Sequence, residues 1–277
     1  MTSPIGDKVI INAAITGALL GKQDSPFLPV SEDEIVACAR EVFDAGAAVV
    51  HLHARGVDGS NSHEADDFVS LVKEIRSVCP GLVICVSLSG RFVADVDARA
   101  AGLAARPDLA SLTLGSMNFA TGPSVNAPDT IHDLSQRIYE VGARPELEIF
   151  EPGFAHMARV MVERGVLATP LYANIILGVL GASPLDLIGL GHIVALLPPG
   201  TVWSVGGLGR FQTDAVVMAL AAGGHVRVGL EDNLHLDRGR RTLATNGQLV
   251  ERVARIARDM GRDPATPSEA RSILGLS

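Results

Sequence analysis

Short apolar runs bounded by glycine and proline alternate along this chain with longer segments whose apolar residues recur every three to four positions. The short runs read as buried strands and the longer segments as amphipathic helices. The first strand is Val9-Ile10-Ile11-Asn12-Ala13-Ala14-Ile15, which stops at Thr16-Gly17-Ala18. A proline-bearing loop follows, and then Ser31-Glu32-Asp33-Glu34 has the form of a capping box opening a helix over 32–45, with Gly46 placed to end it. Val49-Val50-His51-Leu52-His53 is the second strand and completes a βαβ unit.

The same order then repeats, with helices predicted near 63–78, before 105, and at 130–141, 184–197 and 213–222, and one more after Gly153. Strands are predicted between them at 82–89, 109–114, 144–150, 171–177, 201–205 and 225–230. Two helical segments close the chain, the second opening at Thr266-Pro267-Ser268-Glu269 with proline where a first helical turn accepts it. Eight strand signals alternating with helices, with no linker-like stretch between them, predict a single (β/α)₈ TIM barrel over residues 1–277. Residues from about 247 to 277 form a C-terminal helical extension in this reading. A doubly wound open sheet is the alternative, but no strand leads into G-x-G-x-x-G and a helix, and Gly206-Gly207-Leu208-Gly209 lacks that spacing.

A chain of 277 residues can bury a core without staples. Its net charge of −8 argues against a nucleic-acid partner, which would need a basic face. Cys38, Cys79 and Cys85 are an odd number without C-x-x-C spacing, so they read as structural thiols in a reducing compartment. No secretory leader pattern and no apolar run of membrane-spanning length is seen, so a soluble cytoplasmic protein is expected.

Alternate residues of a strand share a face, and parity therefore sorts the polar residues. His51 and His53 project together, a pair suited to zinc and neighbouring divalent metals. On the same parity of other strands lie Asn12 and Thr16, Arg55, Ser87, Ser89 and Arg91, Ser111 and Thr113, and Glu146 and Glu148. The opposite parity is mostly aliphatic, as Ile84, Val86 and Leu88 show, and would pack on helices. In the last strand Arg227 and Gly229 share parity with Glu231, which supplies the third, carboxylate ligand of a site with open positions. Asp232 follows at the strand exit, and an ion pair between Arg227 and Glu148 is the structural alternative for Arg227. His225 lies at the wrong end of its strand for catalysis, and His63, His132, His156, His192 and His235 read as surface residues. Gly207 and Gly209, with Arg210, follow the seventh strand, where barrels commonly bind phosphate, although a tight turn needs the same glycines.

With these residues assembled, the chain resembles the β-keto acid cleavage enzymes, the family named for 3-keto-5-aminohexanoate cleavage. The resemblance is carried by Thr16-Gly17-Ala18, His51-Leu52-His53-Ala54-Arg55, Val86-Ser87-Leu88-Ser89-Gly90-Arg91, Leu112 through Phe119, Glu146 through Gly153, and Val228-Gly229-Leu230-Glu231-Asp232-Asn233. It implies a zinc-dependent, homo-oligomeric barrel that exchanges a β-keto acid with acetyl-CoA to give acetoacetate and a new acyl-CoA. Carried over by position, His51, His53 and Glu231 would bind zinc, and Arg227 with Asp232 would start the reaction, with Glu148 beside them as a catalytic carboxylate. Ser87, a hydroxyl from Ser111 or Thr113, and Asn118 would hold substrate, and Gly207, Gly209 and Arg210 would contact coenzyme A. Members acting on the aminated substrate carry a glutamate where this chain has Leu19, so an uncharged or apolar β-keto acid is expected. Rival readings are an amidohydrolase, whose histidine pair sits on the first strand, and a metal-binding barrel without catalysis.

Overall fold

The capping box at Ser31 is formed in the computed structural model, which describes residues 8–276: Ser31 accepts from the Glu34 amide and Glu34 reaches back. The helix it opens, α1, covers Glu32–Ala45, and Gly46 ends it in the left-handed conformation at φ 110°. Before it stands β1 (Ile11–Ala14), and after it β2 (Val49–Leu52), α2 (Ala65–Val78) and β3 (Val83–Val86). Next come α3 (Val96–Ala100), which continues as a 3₁₀ turn to Ala105, and β4 (Leu109–Thr113). A hairpin of β5 (Met117–Phe119) and β6 (Gly122–Ser124) leads to α4 (Pro128–Glu140) and β7 (Arg144–Ile149). The order continues α5 (Pro152–Glu163), β8 (Tyr172–Leu177), α6 (Leu187–Leu196), β9 (Val202–Gly207), α7 (Gln212–Ala221) and β10 (His225–Val228). Helices α8 (Asn246–Asp259) and α9 (Pro267–Leu274) end the chain.

All strands except the hairpin pair close into one barrel in the order β1-β10-β9-β8-β7-β4-β3-β2, every pairing parallel. Helix α8 packs on α1 and β1. Capped by Thr266 and Glu269, α9 lies under the opposite end, where Ala270 and Leu274 join Ile10, Val49, Val83 and Leu109 in a small apolar cluster. The bottom is thus sealed by aliphatic packing, and the strand C-termini are left to build a mouth. His225 lies at this lower end, its Nδ1 accepting from the Ile10 amide at 3.0 Å, in keeping with a structural role. All three cysteines are buried thiols. No described helix is long and apolar enough to cross a membrane.

The hairpin departs from the sequence reading, which leaves 117–124 as a connection. Its strands are three residues each and include Gly122 and Pro123, too short and too interrupted to show a period.

Candidate active site

Register explains why distant residues meet. His51 stands beside Ala14 of β1 and Cys85 of β3, while His53 lies just past the end of β2. On the other side of β1, β10 ends at Val228 and Gly229 adopts φ +154°, where a Cβ would come within 2.0 Å of the Ala14 carbonyl oxygen. Only glycine fits that approach, and it allows the Glu231 amide to bond the same carbonyl at 3.1 Å. Gly17 makes room from the other side, since a Cβ on it would meet the Glu231 Cγ at 2.8 Å.

Glu231 is thereby aimed at the histidines, its Oε2 lying 3.9 Å from His51 Nε2 and its Oε1 lying 3.7 Å from His53 Nε2. One donor atom from each of the three residues lies within 4.8 Å of the others. His51 Nε2 and Glu231 Oε2 are buried without a hydrogen-bond partner, which is costly unless something else fills the coordination. Two imidazoles and a carboxylate with inward-facing lone pairs suit a divalent cation such as zinc, with positions left for substrate.

Beneath His51 lies a carboxylate that parity placed inward but that received no role. Glu146 of β7 accepts from His51 Nδ1 at 3.1 Å, from Asn12 Nδ2 at 2.9 Å, from Asn174 Nδ2 at 2.6 Å and from the Cys85 thiol. Burial alone would raise its pKa, but His51, Arg227 and the Cys85 hydrogen bond bring it down to about 2. Glu146 is therefore a fixed anion that sets the His51 tautomer and leaves Nε2 facing Glu231. Cys85 is not simply packing, as its sequence context suggests, but remains a thiol, with burial and then Glu146 pushing its pKa well up. Glu146→Gln is expected to weaken divalent-metal binding about 10- to 100-fold, read by competition with a chromophoric chelator. Unaltered affinity would remove the carboxylate from any role in holding His51.

Arg227 is fully buried and pairs along one edge with Asp232, Nε to Oδ2 at 2.9 Å and Nη2 to Oδ1 at 3.2 Å, while Nη2 also reaches Glu231 Oε1 at 2.8 Å. It does not pair with Glu148, the structural alternative. Burial works against its charge, but Asp232 and Glu231 carry its pKa well above the usual range, so the guanidinium is permanent. Burial also lifts Asp232 above an ordinary aspartate despite Arg227, which suits a proton acceptor better than a strongly acidic carboxyl would. Arg227 Nη1 is left without a partner.

His53, Arg227, Glu231 and Asp232 line one cavity of about 380 Å³, a size usual for a small-molecule site. Of the expected substrate residues, Ser87 and Leu19 line it, as do the expected catalytic residues Glu148, Arg227 and Asp232. Ser111 and Thr113 lie behind its wall: Ser111 Oγ accepts from the Leu88 amide at 3.0 Å, and Thr113 donates to Glu148. Asn118 is exposed on β5, its backbone bridged to Gly181, and it does not reach the cavity. Gly207, Gly209 and Arg210, the expected coenzyme contacts, are not among the residues lining the cavity. The Gly209 amide donates to the Asp232 carbonyl at 2.7 Å, Gly207 stands in the β8–β9 ladder, and exposed Arg210 lies over Phe211. Arg55, inward by parity, binds the carbonyls of Thr16, Gly17 and Leu20 and so pins the loop that presents Leu19. Arg91, which parity placed inward without a role, and Phe119, which the sequence did not single out, also line the cavity.

A parallel (β/α)₈ barrel with a two-histidine, one-glutamate group and a buried Arg–Asp pair at its C-terminal mouth defines a class of barrel enzyme whose chemistry sits at the strand ends. The profile of the beta-keto acid cleavage enzyme family matches residues 8–276, and the chain belongs to that family. It is 38% identical over 275 residues to the 3-keto-5-aminohexanoate cleavage enzyme of Acetoanaerobium sticklandii, covering 98% of this chain and 99% of that one. It is also 38% identical over 280 residues to the 3-oxoadipate:acetyl-CoA acetyltransferase of Cupriavidus necator, covering 100% of this chain and 96% of that one. Among solved structures, apo ObcA aligns with a TM-score of 0.80 at 23% identity, covering 91% of this chain and 66% of that one, a likeness of fold.

Proposed function

We propose that the protein exchanges a β-keto acid with acetyl-CoA, releasing acetoacetate and a new acyl-CoA. The observation that carries this reading is the meeting of His53, Glu231 and the Arg227–Asp232 pair in one cavity, with His51 Nε2 buried and unpartnered 3.9 Å from the equally unpartnered Glu231 Oε2. His51, His53 and Glu231 would hold a divalent metal, for which zinc is our choice, and the bound ion would supply a Lewis acid toward the carbonyl and carboxylate oxygens of the keto acid. Asp232 takes the proton from the carbon between those groups, held in place by its two bonds from Arg227. The carbanion attacks the acetyl carbonyl of acetyl-CoA, whose carbon–sulfur bond breaks to release the coenzyme thiolate. The thiolate adds to the original ketone carbon, the old carbon–carbon bond breaks, and the acetoacetate carbanion takes back the proton held by Asp232. Arg227 Nη1, with no partner of its own, is a donor for the negative charge that moves through these steps. Ser87 orients the substrate at the wall, and Glu148, fixed by Thr113, is the remaining carboxyl within reach.

Leu19 stands at the mouth of the same cavity, and the carboxylates that line it are engaged: Glu231 and Asp232 by Arg227, and Glu148 by Thr113. Leu19 offers a substrate ammonium no counter-charge at the mouth, so the chain beyond the ketone carries no positive charge. The deciding experiment screens β-keto acids with acetyl-CoA for acetoacetate release in the presence of metal. Turnover of 3-oxohexanoate above that of 3-keto-5-aminohexanoate is expected; the reverse order would sink the substrate assignment, and no acetoacetate from any β-keto acid would sink the reaction. A cytoplasmic setting, where acetyl-CoA is formed, and a homo-oligomeric assembly go with this reading.

A further inference from the structure

The outer wall of the cavity carries one cation that the reaction above leaves unused. Arg91, on the loop after β3, is partly buried and lines the cavity with Ser87, Ser89 and Phe119. Arg227, the other arginine on the cavity wall, has two carboxylate partners, whereas Arg91 forms no ion pair among the described residues. Its guanidinium lies over the Phe119 ring, 4.2 Å from the centroid, Nη2 donates to Thr121 Oγ1 at 2.8 Å, and Nε is buried with no partner. An arginine cannot shed its charge, so a partly buried guanidinium without a counter-ion is costly to keep.

The surroundings hold this group in one place. Phe119 and Thr121 both come from the β5–β6 hairpin, and Phe119 is braced edge-on by Phe150 at 5.7 Å and 86°. The loop behind is fixed as well: Arg99 Nε donates to the Leu88 carbonyl at 2.9 Å, and Gly90 lies so close that a Cβ would meet Arg99 Nη1 at 2.7 Å. The result is a guanidinium with Nε unpartnered, stacked on an aromatic face at the wall of the substrate cavity.

We infer that Arg91 is the anchor for a carboxylate at the far end of the keto acid's chain, so that the substrate is a dicarboxylic β-keto acid. This rests on the exchange reaction proposed above and extends it. Leu19 argues against a cationic tail but is silent about an anionic one. Planar guanidinium and carboxylate match in a paired geometry that a methyl end cannot use. The phosphates of coenzyme A are the other candidate anions, but the pantetheine arm holds them many bonds from the thioester. Arg91 lines the same cavity as the reacting groups Arg227, Glu231 and Asp232. Arg91 is also near enough to the inner end that the charge of Glu231 partly offsets the effect of its burial.

The test compares kcat/KM for 3-oxoadipate and 3-oxohexanoate, equal in carbon number, in the wild-type protein, Arg91→Gln and Arg91→Lys, with KM for acetyl-CoA measured alongside. The wild type should prefer the dicarboxylate, and Arg91→Gln should reduce that preference about 10- to 100-fold, mainly through the KM for 3-oxoadipate, as loss of a charged hydrogen-bonded pair implies. Arg91→Lys should restore part of it. Thermal melting of both variants verifies folding. An unmoved substrate ratio overturns the anchor, as does a change confined to the KM for acetyl-CoA, which would mark a phosphate contact instead. Equal turnover of both compounds by the wild type defeats the anchor alone, as does acetoacetate from other β-keto acids but from neither of these two, whereas acetoacetate from no β-keto acid defeats the exchange reaction and the anchor with it.

Discussion

Asp232→Asn is expected to lower kcat for acetoacetate release by about three orders of magnitude, within the range of 10² to 10⁴ typical of a general base. The substitution keeps the shape of the side chain and one acceptor for Arg227, but an amide oxygen cannot take a proton from carbon. Metal content should be retained, because His51, His53 and Glu231 are untouched. Arg227→Lys should fall on the same scale, since an ammonium cannot reproduce the bonds that Nε and Nη2 make to the two oxygens of Asp232. The double variant should be little worse than either single one, the behaviour of residues that act as a unit. A fall of less than tenfold in Asp232→Asn would take this residue out of the proton transfer.

Exhaustive chelation should bring activity to background, and stoichiometric zinc should restore it. The histidines and Glu231 otherwise leave Nε2 and Oε2 facing each other unfilled in a buried site. Binding at a hundredfold excess over its dissociation constant stabilises the folded protein by about 2.7 kcal/mol, so the melting temperature should rise by several degrees when metal is added. In Glu231→Gln both the rescue and the thermal shift should be lost, because a neutral amide offers the cation no charge and also leaves Arg227 with one carboxylate in place of two. Full turnover by protein stripped to trace metal would refute the assignment. The two experiments separate cleanly: Asp232→Asn leaves the metal-induced shift and removes the rate, whereas Glu231→Gln removes both.

Much of the molecule was readable before any coordinates. The capping box at Ser31 formed as its motif indicates, because a cap is a contact between residues three apart, and the last helix opens after Thr266 with Pro267 in its first turn as expected. Strand parity placed His51, His53, Arg227 and Glu231 on one inward face, since alternation is a local property of extended backbone. Assigning a use to Glu146 was beyond the same reasoning. Its partners come from β1, β2, β3 and β8, and which of several inward polar groups become neighbours depends on the stagger between strands. Arg227 posed the same difficulty: an inward arginine had Glu148 and Asp232 as candidates, and only the turn at Gly229 decides for Asp232 and Glu231.

The mouth shows the limit most clearly. Asn118 lies in a segment shared with the family yet faces outward, while Phe119 beside it enters the cavity and carries Arg91. The glycines after β9 resemble a phosphate loop in composition, but the Gly209 amide is already committed to the Asp232 carbonyl. By itself the sequence determined the alternation of strand and helix, the closed parallel barrel it implies, and the face on which the histidines and the last-strand acids stand. Tertiary structure alone decided which of those polar groups pair, which are left unpartnered for a ligand, and that a hairpin of two three-residue strands positions Arg91. The physical reason is range: caps and parity are set within a few residues, whereas partner choice in a closed barrel is set by register between strands as far apart in the chain as β1 and β10.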